Sequence, residues 1–347
     1  MTNENKPAEH VAIVGAGAGG SRIADAFFAL GYETFWVNTT DQDAGKGLQC
    51  PNKVIISSGE QLDGAAKDPE KGRRAFEVCS SDVIEAMNMH WHTPDRILIC
   101  VGAGGGTGSG AALPLIDAAK KYADLARMQG DISKKVGVIV SVPKRTEPAT
   151  VQRNALELLK SLFELADKGK ISPLILLDND SIISQFDVKQ PVKGYWTKVN
   201  DFFARVYHSF NALTGRSSDL EVFDPAEYQK VLESGFVVFG KAVMKGNLAN
   251  ISAQLRDVLT KTLLVNGVDF KTAKFAGAIA TGNDAIWTTV PRDDIDNAIS
   301  MLAEFLKVDT VCLGIYEDET PDLRVFTIVG GMAAPQKRLA DLETRGK

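Results

Sequence analysis

Two glycine clusters carry the most specific chemistry in the chain. One is Gly15-Ala16-Gly17-Ala18-Gly19-Gly20-Ser21; the other is Gly102-Ala103-Gly104-Gly105-Gly106-Thr107-Gly108-Ser109-Gly110. Residues without a Cβ let backbone N–H groups close on an anion, and a helix starting there adds the positive end of its dipole. The first cluster satisfies G-x-G-x-x-G, the pattern of a dinucleotide-binding turn. That use needs an acid about 20 residues further on, at the end of the second strand, to hold a ribose. Asn38-Thr39-Thr40 stand there instead, with Asp41 slightly late. The second cluster lacks the lysine of G-x-x-x-x-G-K-[ST]. Its six glycines and two hydroxyl residues in nine positions still concentrate amides as an anion nest does. Two such turns on one sheet predict a triphosphate held from two sides.

Hydropathy spacing predicts the elements that position these turns. HVAIVGAG reads as a buried strand, and YETFWVNTT, NKVIISSG, DRILICVG, KVGVIVSVP and SPLILLDND read as further strands. Helical patterns separate them at SRIADAFFALG, over 70–89, at AALPLIDAAKKYADLA and over 149–167. Apolar strands alternating with helices predict a parallel sheet covered on both faces. A longer helix follows over 197–214. FVVFGKAVM, KFAGAIATG, TVCLGIYED and LRVFTIVGG then read as strands of a second, smaller sheet, with helices near 250–263 and 292–306. The expected organisation is a nucleotide-binding α/β domain over 10–196, a central helix and linker over 197–223, a second α/β domain over 224–335, and a short polar, frayed tail over 336–347.

Composition excludes several classes. With 347 residues, 44% hydrophobic and 24% charged, the chain can bury a large core, which excludes a disordered or disulfide-stapled protein. Its four cysteines contain no C-x-x-C pair and read as reduced thiols. His90-Trp91-His92 lacks further ligands, so no metal site is expected. A net charge of −5 gives no general affinity for nucleic acid or anionic membrane. No apolar run reaches the ~18 residues of a membrane span, and the N-terminus lacks a secretory signal, so a cytoplasmic protein is expected.

The motif GGGTGSG resembles the phosphate loop shared by tubulins and the bacterial division GTPase FtsZ. Further loops agree in order: AIVGAGAGGSRI, VNTTDQDA, LDGAAKDPEKGRRAFE, VPKRTEP and LLDNDSI are each similar to a nucleotide-contacting segment of that family. The resemblance covers roughly residues 10–333. It implies a tubulin/FtsZ-like fold, binding of GTP or GDP with Mg²⁺, and head-to-tail assembly of the chain with itself into filaments. The nucleotide-binding residues it implies are Gly17, Ala18, Gly19, Gly20, Ser21, Asn38, Ala66, Lys67, Gly104, Gly105, Gly106, Thr107, Gly108, Glu147 at the ribose and Asn179. Trp196 falls where the family stacks an aromatic ring on the base, and Asp201 where a carboxylate accepts guanine hydrogen bonds.

In Val222-Phe223-Asp224-Pro225-Ala226-Glu227, the pair Asp224 and Glu227 resembles the family's N-x-D-x-A-D loop, whose acids complete catalysis on the neighbouring subunit. The same residues also read as a helix start, with Asp224 as N-cap and proline at the first helical position. Three departures stand out. Val222 replaces the family asparagine and Glu227 lengthens the second acid. Val151 occupies the place of a phosphate-facing arginine, with Arg153 nearby. The long linker and adaptor-binding peptide of FtsZ are not seen before Lys347. These departures admit a second expectation, an FtsZ-like paralogue that binds GTP and assembles with little hydrolysis. Division, DNA segregation and cell shape all remain open as roles. A dinucleotide-dependent oxidoreductase is disfavoured by the second glycine loop and Asn38.

Overall fold

The computed structural model describes residues 7–42, 47–59, 64–186, 193–244, 251, 253–254, 264–265 and 267–347. The first elements are β1 (Val11–Ala16), α1 (Gly17–Phe28), β2 (Glu33–Asn38), β3 (Lys53–Ile55), α2 (Pro69–Val78), α3 (Ser80–His90), β4 (Arg96–Gly102) and α4 (Gly106–Leu125). Next come α5 (Ile132–Lys135), β5 (Val136–Val142), α6 (Ala149–Asp167), β6 (Leu174–Asp178), α7 (Asn179–Ile183) and α8 (Tyr195–Leu213). Then follow α9 (Pro225–Leu232), β7 (Phe236–Met244), β8 (Phe275–Gly282), α10 (Asp284–Trp287), α11 (Arg292–Leu306), β9 (Val311–Glu317), β10 (Leu323–Gly330) and α12 (Gln336–Arg345). The single helix expected over 70–89 is two, broken at Cys79. The helix expected near 250–263 lies largely outside the described residues.

The chain divides into two compact units. The larger holds Glu9–Ala204 and Gln336–Lys347; the smaller holds Arg205–Pro335 and the stretch before Glu9. The division at Ala204 falls inside α8. In the larger unit the strands run in the order β3-β2-β1-β4-β5-β6, all parallel. Every residue of β1 is buried, as is every residue of β4 before Gly102. This is the reason those strands read as unbroken apolar runs. Consecutive strands step outward from β1 on one side and from β4 on the other. Such a reversal opens a crevice at the carboxyl ends of the two strands, where ligands bind in open α/β sheets.

The expected frayed tail is a helix. Arg338 and Leu342, one turn apart on α12, are both buried, and α12 packs on α6. Its sequence looks polar because the residue that anchors it is an arginine rather than a hydrophobe. At the opposite end of the sheet, Arg96 is fully buried. It donates to both oxygens of Glu9 (2.6 and 2.8 Å) and to the Lys134 carbonyl (2.6 Å).

In the smaller unit, β10 lies between β7 and β8, antiparallel to both, and β9 runs parallel to β8. Its core is aromatic. Phe210 on α8 meets Phe223, Tyr228, Phe239 and Phe326, with ring centroids 5.6–6.5 Å apart.

Candidate functional site

Both glycine clusters form the first turn of a helix. The first three or four N–H groups of a helix have no partner within it. Capping side chains supply one at α2, α7 and α9, where Asp68, Asp178 and Asp224 each accept an amide. The N-termini of α1 and α4 have no side-chain cap and no acid in the first turn. The amides of Gly17–Gly19 and Gly106–Gly108 are thus left for a ligand, and two dipoles favour an anion at the same place.

These turns meet closely. Gly17 has φ +68°, and a Cβ built on it would lie 2.6 Å from the Gly108 nitrogen. On Gly19 it would lie 3.0 Å from the Gly102 Cα. Thr39 and Thr107 join the walls through a 2.7 Å hydroxyl contact. Ser109 takes no outward role: its Oγ accepts the Gly104 amide at 3.0 Å.

A cavity of about 580 Å³ opens over these turns. Fourteen of the residues expected from sequence line it: Gly17, Ala18, Gly19, Asn38, Ala66, Lys67, Gly104, Gly105, Gly106, Thr107, Gly108, Glu147, Asn179 and Trp196. Asn38 is 3% exposed, and its Nδ2 has no hydrogen-bond partner, leaving a donor at the wall. Ala66 and Lys67 take φ of 49° and 62°, a left-handed pair that costs free energy for side-chain-bearing residues. The Lys67 carbonyl is tied to Asn154 Nδ2 at 2.9 Å. Glu147 accepts the Lys144 amide at 2.9 Å, and the Lys144 ammonium sits over the Tyr195 and Trp196 rings at 4.1 and 5.5 Å.

Three expected residues do not line the cavity. Gly20 is used for packing, since its Cα is pressed onto the Cys100 carbonyl so that α1 can lie on β4. The Ser21 hydroxyl donates to the Gly17 carbonyl at 2.8 Å. Asp201 is not among the lining residues; its neighbour Asn200 is buried and lines the wall with Trp196. At about 3.6 residues per turn, Asn200 returns to the face of Trp196, whereas Asp201 is rotated roughly 140° from it. That spacing was readable in the sequence. Arg22, one turn beyond Ala18, also lines the cavity, a position its helical spacing from Ala18 allows. Val151 reaches the wall, as expected of the residue in the arginine's place. Arg153 turns away and donates to the Gly346 carbonyl.

Asp224 and Glu227 belong to the smaller unit and are not among the residues lining this cavity. Asp224 caps α9, accepting the Ala226 amide at 2.7 Å, with Pro225 at the first helical position. Burial pushes the Cys312 thiol up to about 12, and its hydrogen bond to Glu227 pushes the same way. The preceding backbone is fixed by the Phe223 amide, which donates to the Tyr316 hydroxyl at 3.0 Å.

An open parallel α/β sheet with two uncapped, glycine-built helix starts facing one crevice defines a phosphate-binding unit of the nucleotide-binding class. The chain belongs to the Tubulin/FtsZ family: the model described as "Tubulin/FtsZ family, GTPase domain" matches residues 10–187. It is 31% identical over 332 residues to "Cell division protein FtsZ 2" of Halobacterium salinarum, covering 94% of this chain and 77% of that protein. It is 26% identical over 345 residues to "Tubulin-like protein TubZ" of Bacillus cereus, covering 90% and 74%. Among solved structures it is similar to a GTPγS-form protofilament of Bacillus thuringiensis serovar israelensis TubZ, with TM-score 0.83, 21% identity and coverage of 99% and 92%. It is also similar to GTPγS-bound CetZ2 from Haloferax volcanii, with TM-score 0.78, 21% identity and coverage of 96% and 97%.

Proposed function

We propose that this protein binds GTP in the larger unit, assembles head-to-tail with copies of itself, and hydrolyses GTP at sites completed by Asp224 and Glu227 of the next subunit. The observation that carries this reading is the pair of uncapped helix N-termini at one cavity whose other end offers an aromatic ring, Trp196, and an amide, Asn200. Backbone amides hold phosphate, Glu147 accepts from a ribose hydroxyl, and Trp196 stacks on the base. Asn200 carries both a donor and an acceptor, which suits a guanine edge that presents both. The relatives support assembly, since TubZ and CetZ2 are known as protofilaments.

Mg²⁺ enters this reading with the nucleotide. Among the described residues no group of three or more His, Cys, Asp or Glu could hold a metal. The residues therefore do not build a cage, and the ion's ligands would be chiefly phosphate oxygens, as is usual for Mg²⁺ at nucleotide sites. The carboxylates of Asp224 and Glu227 would orient the attacking water. Rigid presentation from a capped helix start suits that role, because positioning and electrostatics supply most of the catalysis in phosphoryl transfer. No described helix is long and apolar enough to cross a membrane, and the proposed setting is the cytoplasm.

The test is hydrolysis against protein concentration, with assembly followed by light scattering and electron microscopy in GTP and in GDP. Specific turnover should rise with concentration and level off once filaments dominate. Constant turnover by a demonstrated monomer would overturn the shared site. Assembly on GTP without turnover would favour the paralogue that binds and polymerises but hydrolyses little, the reading to which Val151 at the cavity wall gives weight.

A further inference from the structure

The C-terminal helix is wired to the two loops that line one end of the cavity. Arg338 is 2% exposed and makes three contacts. Its Nη2 donates to the Pro143 carbonyl at 2.5 Å, its Nη1 to Asp341 at 2.9 Å, and its Nε lies 3.2 Å from the buried Asp178 carboxylate. Pro143 lines the cavity, and Asp178 immediately precedes Asn179, which lines it too. Asp341 also receives Arg145 Nε at 2.9 Å, while Arg145 donates its amide and Nη1 to Asp180 at 3.0 and 3.1 Å. Arg345 Nη1 closes the set on the Arg145 carbonyl at 3.1 Å.

We infer that Arg338 is a positioning residue for the nucleotide: through the Pro143 carbonyl and Asp178, α12 holds loop 143–147 and Asn179 in their ligand-binding shape. The inference rests on the nucleotide reading above. Within that loop Lys144 bridges to the Tyr195 and Trp196 rings, and Glu147 faces the cavity. Displacing Pro143 thus disturbs the ribose contact and the aromatic wall together. The phosphate end is not reached by these side chains, although α6, on which α12 packs, touches Gly104 through Asn154. That end is built by the starts of α1 and α4, and among the described residues the hydrogen bonds and ion pairs of Arg338, Asp341 and Arg345 go to Pro143, Arg145, Asp178 and one another.

This asymmetry supplies the test. A fluorescent GDP analogue is bound to the full-length protein and displaced by GDP or by inorganic tripolyphosphate, which fills only the phosphate end. Arg338→Met should weaken GDP roughly 10- to 100-fold, the worth of a charge-assisted hydrogen bond, and leave tripolyphosphate within about twofold. Asp341→Asn, at a position 26% exposed that folding tolerates better than the buried Arg338, should shift GDP in the same sense by a smaller factor. Circular dichroism verifies that each variant is folded. Equal loss of GDP and tripolyphosphate, or unchanged GDP affinity in both folded variants, would overturn the inference while leaving the nucleotide reading intact. A wild-type protein that binds neither GDP nor GTP would instead overturn that reading, and this one with it.

Discussion

A side chain on Gly17 would begin where the Gly108 amide already stands, 2.6 Å from its nitrogen. The two glycine turns are therefore built against each other, and packing alone already demands their glycines. Gly105 differs. A Cβ there meets only the Gly102 carbonyl, at 3.9 Å, and Gly105 faces the cavity with an ordinary φ of −79°.

Gly105→Val should therefore fold, losing about 1 kcal/mol as a poorer N-cap, while nucleotide affinity falls at least tenfold because the isopropyl group occupies the phosphate's place. Gly17→Ala should instead lower stability by about 2 kcal/mol or more, from the left-handed backbone and the clash together. Thermal melts alongside nucleotide titrations separate the two. A Gly105→Val protein that binds normally would show that this turn does not hold phosphate.

Asn200, not Asp201, should govern the choice of base. Asn200→Ala is expected to erode the preference for GTP over ATP by about tenfold, the worth of one or two hydrogen bonds. Asp201→Asn should change it by less than about twofold. Competition of both nucleotides against a labelled guanine nucleotide measures the ratio. The opposite ranking would restore the carboxylate as the guanine acceptor.

Asp224 caps α9, and under the proposed function it also orients the attacking water; substitution separates the two. Asp224→Asn keeps an N-cap for α9 but removes the charge, so stability should hold within about 0.5 kcal/mol. Turnover should drop ~10²–10⁴-fold, with GTP binding and assembly retained. Asp224→Ala should lose turnover and about 1 kcal/mol of stability together. Full activity in the asparagine variant would assign the residue to capping alone.

Asp341 links α12 stability to pH. Burial pushes its carboxyl up, but the guanidiniums of Arg345, Arg145 and Arg338 outweigh this and hold it below the usual range. A carboxyl depressed in the folded state stabilises above its unfolded value of about 3.9, and that stabilisation is lost as pH falls through the lower folded value. The difference in melting temperature between wild type and Asp341→Asn should be constant from about pH 6 to 8 and shrink below about pH 4. A difference that grows on acidification would contradict the ion-pair assignment.

Much of this was legible in residue types. Six parallel strands and two glycine turns could be read because each rests on a local rule, an apolar run or a missing Cβ, although the short β3 at the edge is largely exposed rather than buried; Ala66, Lys67, Glu147, Asn179 and Trp196 were expected only through the family resemblance. Asn200 was legible too, through its position one helical turn from Trp196. The α12 anchor was not. An arginine in a polar stretch reads as solvated, and only a folded chain shows that Asp178 and the Pro143 carbonyl await it some 160 and 195 residues earlier in the sequence.

Sequence alone determined that this chain has a parallel α/β architecture with glycine turns after the first and fourth strands, because hydropathy period and glycine placement are properties of short segments. Tertiary structure alone decided which of the neighbouring residues face the cavity. Gly20 and Ser21 were diverted to packing and helix hydrogen bonding, and the last helix was drawn onto the site's outer loops. Those outcomes depend on which groups meet across the fold: a buried polar group must find its partner wherever the chain brings one, and sequence spacing does not record that distance.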